Sequence, residues 1–130
     1  MGLRTIQSQK LHDAVVITLK EFYLKKRNAD DVIINPGDDT KAAIKGLYPD
    51  VISQTGDLLT VLEVETDETV TEQEALEWKT FNDIIGQFYL VVPEQAEAEA
   101  KALIKQNGLT HCKICTYKLV EKRLVFNNLP

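Results

Sequence analysis

No apolar run in this 130-residue chain approaches the ~18 to 20 residues that a membrane-spanning helix needs. The opening, MGLRTIQSQK, lacks the apolar core of a secretory signal, so the expected location is the cytoplasm. Six Gly and four Pro are too few for a collagen-like or low-complexity chain. Cysteine is scarce too: Cys112 and Cys115 are the only two, and in a reducing compartment they are expected to be free thiols. They form a CxxC after His111, but zinc needs four ligands and the one other histidine, His12, lies far upstream. On a strand the two would point to opposite faces, so both are expected in the core. No GxxxxGK[ST], GxGxxG or GxSxG occurs, which leaves P-loop, dinucleotide and serine-hydrolase readings without support.

Charge of one sign is also missing from the middle. Between Gly46 and Trp78 there is no Lys, Arg or His, while nine acids stand there: Asp50, Asp57, Glu63, Glu65, Asp67, Glu68, Glu72, Glu74 and Glu77. The flanks reverse the balance. The first thirty residues carry six bases against three acids, including Lys25, Lys26 and Arg27 in succession, and residues 101–123 carry six bases against Glu121. A net charge of -5 and a pI near 5.0 argue against a generally basic nucleic-acid binder. Two basic flanks around an acidic centre nevertheless suit an enzyme that handles a polyanion. For Glu72, Glu74 and Glu77 a solvated helix face is the alternative, and for the basic triplet a solvated helix end.

What is present is ordinary globular material, 44% hydrophobic and 27% charged. One domain over 1–130 is expected, hiding roughly two-thirds of the surface of its unfolded chain without a disulfide or structural metal. Leu11, Val15, Thr18, Leu19 and Phe22 recur at helical spacing over 8–27, with Ser8 as N-cap. Val32 to Ile34 reads as a strand, 38–47 as a loop or single helical turn, and 48–52 as a second strand with Pro49 at its entry. Residues 54–57 read as a hairpin turn and 58–64 as a central strand covered on both faces. A second helix is expected over 69–85, carrying Val70, Leu76, Trp78, Phe81, Ile84 and Ile85 inward, with Thr71 and Glu74 as capping pair and Gly86 as its stop. A strand at 88–92, a helix at 94–106 and a strand at 112–117, paired with 123–126, complete an α/β fold with an αβββαβ core and a mixed central sheet flanked by helices.

The chemistry gathers at the second and third strands. Asp50 precedes a hairpin whose returning strand carries Glu63 and Glu65, which share one face because they are two apart. Carboxylates set into LTVLEVET are costly to bury unpaired. A divalent cation, Mg²⁺ or Mn²⁺, held by one or two carboxylates would repay that cost. The alternative is that Asp50 caps a turn and the glutamates sit at an exposed strand end.

Pro49-Asp50 followed by Glu63-Val64-Glu65, within this order of elements, resembles the PD-(D/E)XK nuclease superfamily over residues 8–117. The resemblance implies a restriction-endonuclease-like fold and metal-dependent hydrolysis of DNA phosphodiesters. By position, Asp50, Glu63 and the carbonyl of Val64 would be metal ligands, and Glu65 would stand where the superfamily has a lysine. Glu65 then acts as a base, or a lysine has migrated (Lys79, with Lys45 second), or the site is silent and the domain binds nucleic acid or protein without catalysis. Glu21 is a possible fourth acid or the helix partner of Lys25, and Lys25, Lys26 and Arg27 are candidate phosphate contacts. The small size makes a homodimer or a partner protein an expectation too.

Overall fold

The computed structural model describes residues 4–35 and 44–130. The first helix, α1 (Ile6–Lys26), leads into strand β1 (Asp31–Ile34), followed by β2 (Val51–Thr55) and β3 (Leu58–Val64). Helix α2 (Glu72–Ile84), strand β4 (Phe88–Pro93), a 3-10 turn (Glu94–Ala96), helix α3 (Glu97–Gln106) and strands β5 (Cys112–Val120) and β6 (Arg123–Asn127) complete the chain. The α/β class and the order helix, three strands, helix, strand are those implied by the sequence. Among the described residues no helix is long and apolar enough to cross a membrane.

The six strands form one mixed sheet in the order β1-β2-β3-β4-β5-β6. The outer pairings are antiparallel hairpins, whereas β3-β4 and β4-β5 are parallel. Parallel neighbours need a crossover, and α2 and α3 supply the two. Both crossovers step the same way across the sheet, so both helices cover one face. There Val61, Trp78, Phe81, Phe88, Leu90, Ala100 and Leu103 make one core. On the opposite face α1 packs Val15, Val16, Leu19 and Tyr23 against Val51, Leu62, Val64, Val91 and Cys115. Cys115 thus faces α1 while Cys112 lies against the other core, on opposite faces as expected.

Several local expectations shift. The N-cap of α1 is Thr5, not Ser8: the Thr5 hydroxyl accepts the Ser8 N–H at 3.1 Å, which starts the helix three residues earlier. Its buried stripe is His12, Val15, Val16, Leu19 and Tyr23, so Leu11 and Phe22 are only half-buried at its margin. In α2 the cap at Thr71 is as expected, but Leu76 is 62% exposed and the inward positions fall to Ala75, Trp78, Phe81 and Asn82. Thr69 stays outside that helix because its hydroxyl is bonded to the Thr66 N–H. Strand β2 begins at Val51, and Pro49 lies before it with its carbonyl bonded to Asn35 Nδ2 at 2.6 Å. Strand β5 runs on to Val120 because Glu121 and Lys122, with φ of 50° and 66°, make the tight turn into β6. The expected loop or turn at 38–47 lies outside the described residues up to residue 43; Ile44 and Leu47 then bridge across Gly46, whose φ of 84° favours glycine.

The packing makes two stability effects readable. Leu62→Ala, at a fully buried position under α1, is expected to lower the unfolding free energy by about 3 kcal/mol. Thr71→Ala, which removes the α2 cap, is expected to cost about 1 kcal/mol. Urea titration at fixed pH measures both.

Candidate active site

Asp50 and Glu63 are interlocked through each other's backbone. The Asp50 N–H donates to Glu63 Oε1 at 2.8 Å, and the N–H of Val64 donates to Asp50 Oδ2 at 2.8 Å. The antiparallel register, which pairs Val51 with Leu62, sets these residues opposite one another. Asn35 at the end of β1 fixes the approach: its N–H donates to the Asp50 carbonyl at 2.9 Å. Asp50 Oδ1 and Glu63 Oε2 accept no hydrogen bond among the described residues, and both residues keep 6% exposure.

Glu65 is different: at 1% exposure each of its polar atoms has a partner. Trp78 Nε1 donates to Oε2 at 2.7 Å, and the Thr69 hydroxyl donates to Oε1 at 2.7 Å. Arg4 Nη2 lies 3.3 Å from the same Oε1 and 3.3 Å from the Val64 carbonyl. The Glu65 N–H donates to Val91, and its carbonyl accepts the Tyr117 hydroxyl at 2.8 Å. Glu65 therefore ties β3 to α2, β4, β5 and the residues before α1, as an anchor. The place of a mobile water-activating base is not what this bonding describes.

The helix residue facing Asp50 is His12, not Glu21. His12 is buried, with Nδ1 3.0 Å from Asp13 Oδ1 and Nε2 3.2 Å from Asp50 Oδ1. The latter distance gives charge attraction, but the alignment is not that of a hydrogen bond, and Nε2 has no hydrogen-bond partner. Glu21 instead pairs with Lys25 at 2.9 Å on the exposed face.

The proposed migrated lysines turn elsewhere. Lys79 is half-exposed and pairs with Asp83 at 3.1 Å, one helical turn along α2. Lys45 Nζ donates to the Ile84 carbonyl at the far end of α2. The basic triplet is also remote. Along α1, Arg27 is fifteen residues from His12, about 22 Å of helix. Arg27 donates to the Pro130 carbonyl at 3.1 Å and stacks over Phe22. It lines a groove with Leu58 and Leu59, at the start rather than the end of β3.

Burial shapes the proton affinities. Loss of water, then the charges of Asp50 and Glu65, hold Glu63 well above the ordinary carboxyl range, partly offset by the Asp50 N–H. Burial and the charge of Glu74 raise Glu65 in the same way, against the donors of Trp78 and Thr69. For His12 burial opposes protonation, but the carboxylates of Asp50 and Asp13 outweigh it and the imidazole is held above its ordinary value. Among the described residues no three His, Cys, Asp or Glu side chains converge as a metal cage. Glu63 Oε2, which accepts no hydrogen bond among the described residues, and Asp50 Oδ1, which faces only His12 Nε2 at 3.2 Å, are the two oxygens that would suit a cation keeping most of its own water, which is the habit of Mg²⁺.

Sequence reasoning missed Arg4, His12, Asn35, Thr69 and Tyr117 as parts of this region. Only His12 carried a signal: positions 12, 16, 19 and 23 continue the helical stripe one turn towards the N-terminus. Neither a scan of protein-family models nor a search of curated proteins returns a match to this chain.

The raised groups fix the sign of a pH effect. Because Glu63 and Glu65 titrate above the ordinary 4.5 when folded, the native state retains protons that the unfolded chain has released. Their contribution to stability is present below about 4.5 and is lost as pH rises through the folded values. His12, raised from 6.5, acts in the same direction at higher pH. In metal-free buffer the unfolding free energy is expected to fall as pH rises above about 4.5, and Glu63→Gln is expected to flatten the acidic part of that decline. A wild-type profile that rises over this range contradicts the assignment.

Proposed function

We propose that the chain is a metal-dependent phosphodiesterase acting on DNA, built on a restriction-endonuclease-like scaffold, with Asp50 and Glu63 holding Mg²⁺ or Mn²⁺. The observation that carries this reading is the interlock of the two acids: each gives one oxygen to the other strand's backbone, while Glu63 Oε2 accepts no hydrogen bond among the described residues and Asp50 Oδ1 faces only His12 Nε2 at 3.2 Å. When bound, such an ion supplies Lewis-acid polarisation of a phosphodiester and lowers the pKa of water. The chain's own groups do the positioning. Asn35 and the β2-β3 register hold Asp50 against Glu63, and His12 Nε2 stands 3.2 Å from Asp50 Oδ1. Glu65, with Trp78, Thr69 and Arg4 on its carboxylate, keeps the end of β3 rigid. The Val64 carbonyl already accepts from Arg4, which favours a two-carboxylate cation site over one that also uses that oxygen.

One observation favours a second reading, a nuclease-like domain that binds without cleaving. Glu65 is saturated and both Lys79 and Lys45 are engaged elsewhere, so neither candidate lysine fills the superfamily lysine's role.

Calorimetry with Mn²⁺, followed by cleavage assays on labelled single- and double-stranded DNA, separates the two. The expected result is metal binding and cleavage by the wild type. Both should fall in Asp50→Asn and Glu63→Gln by more than the roughly 10- to 100-fold that supporting residues cost. Glu65→Gln is expected to stay within that range with the shape of its pH-rate profile unchanged, as befits an anchor; a lost acidic limb would make Glu65 the base. Metal binding without cleavage of either DNA would leave the second reading.

A further inference from the structure

The parallel strands β3, β4 and β5 all end on the side of the sheet where the acids lie. Val64, Val91 and Cys115 stand level across it. Strand β4 stops at Pro93, opposite Tyr117, but β5 continues for Lys118, Leu119 and Val120 before turning into β6. Three residues at about 3.3 Å each carry the β5-β6 ribbon some 10 Å beyond its neighbour. Tyr117, at the base of this projection, donates its hydroxyl to the Glu65 carbonyl, so the ribbon is fastened directly to the acidic site. Every residue from Lys118 to Arg123 is exposed.

The ribbon carries Lys118, Lys122 and Arg123 against a single acid, Glu121. Lys118 also meets Glu94 at 3.5 Å, with both side chains 46% exposed, a surface pair worth little. Beside the bases stand Leu119, Val120 and Val125, whose apolar side chains are exposed. A two-stranded ribbon with its side chains is about as wide as the ~12 Å major groove of B-form DNA. Bases suit the phosphates at the groove's edges, and small apolar side chains suit the methyl groups of thymine within it.

We propose that the β5-β6 ribbon is the duplex-DNA contact of this protein, seated in the major groove beside the Asp50-Glu63 site. The role expected for Lys25, Lys26 and Arg27 passes to Lys118, Lys122 and Arg123, because Arg27 lies about 22 Å of helix from His12, beside the start of β3, although Lys26 and Arg27 also line a cavity with Leu124 and Phe126 of β6. The ribbon's partner is inferred from the reading of the acids as a DNA-processing site, and binding is measured apart from cleavage for that reason.

The test uses Asp50→Asn in metal-free buffer, so that nothing is cut, with a fluorescent 20-base-pair DNA duplex read by anisotropy across a salt series. Adding Lys122→Ala and Arg123→Ala is expected to weaken binding about tenfold and to reduce the slope of log K against log salt by about two. Neutralising Lys25, Lys26 and Arg27 together is expected to change both by less than the ribbon substitutions do. An RNA duplex, whose major groove is too narrow for side chains, is expected to bind more weakly than DNA. The proposal is overturned if the ribbon variant binds like its parent, if the triplet variant loses as much, or if the RNA duplex binds equally well. A ribbon effect on binding in a wild type that cleaves nothing upholds the ribbon and removes the hydrolytic reading. Cleavage that is indifferent to the ribbon does the reverse.

Discussion

Four carboxylates, those of Asp50, Glu63, Glu65 and Glu74, are withdrawn from water around one end of β3, and the surrounding architecture answers to that charge. A buried charge without compensation costs several kcal/mol, so each neighbouring element contributes something to offset it. The residues at the start of α1 bring Arg4 to Glu65 and His12 to Asp50. Helix α2 brings the indole N–H of Trp78, and the loop before it the hydroxyl of Thr69. Glu63 is compensated differently, by a raised proton affinity. The N-terminus of α1 is strapped to the same loop, Thr5 N–H to Glu68 at 2.9 Å and Ser8 to Thr66 at 2.6 Å between hydroxyls. The N-termini of α1 and α2 therefore both lie beside the acids, where the positive ends of their dipoles oppose the negative charge.

That arrangement gives the sheet two unlike ends. At the end of β3 stand the acids, two helix N-termini and the projecting β5-β6 ribbon. At the start of β3 stand the basic C-terminus of α1 and a groove lined by Tyr23, Arg27, Leu58 and Leu59. The basic run there is explained by its surroundings: Lys25 pairs along the helix with Glu21, Arg27 covers Phe22, and positive charge suits a helix C-terminus. Polarity of the strands, not proximity in the chain, decides which bases can share a ligand with the acids.

This is also where the sequence stops being legible. Period-two and period-3.6 patterns were enough for the element order and for the pairing of Asp50 with Glu63, because a short hairpin fixes its own register. The phase of α1 was harder: Val15 and Leu19 suit two adjacent stripes, and the true one includes a histidine that reads as polar. Leu76 and Ile84 looked like core positions in α2 but face water, while Asn82 is buried and accepts the His111 N–H. Apart from Thr69, four residues on, the side-chain partners of Glu65 lie thirteen to sixty-one residues away in the chain, where no local spacing betrays them. Trp78 read correctly as a core residue, yet nothing in its neighbourhood announces that its N–H is directed at a carboxylate.

A glutamate rather than a lysine at position 65 is physically intelligible once its partners are known. A lysine at that position would bring an ammonium, which only donates, up to the indole N–H of Trp78 and the guanidinium of Arg4. A glutamate can accept from both. The positive charge has thus been supplied from Arg4, and the acid has become the acceptor that joins α2, β5 and the start of α1 to the end of β3. Asp50 and Glu63 were left out of that settlement. Each is held in place by a backbone N–H, and each keeps a second oxygen that accepts no hydrogen bond from the described residues, Asp50 Oδ1 facing His12 Nε2 at 3.2 Å. Asp50 and Glu63 thus lie at the end of the sheet from which the basic ribbon projects, while Glu65, supplied by Trp78, Thr69 and Arg4, holds the elements together there.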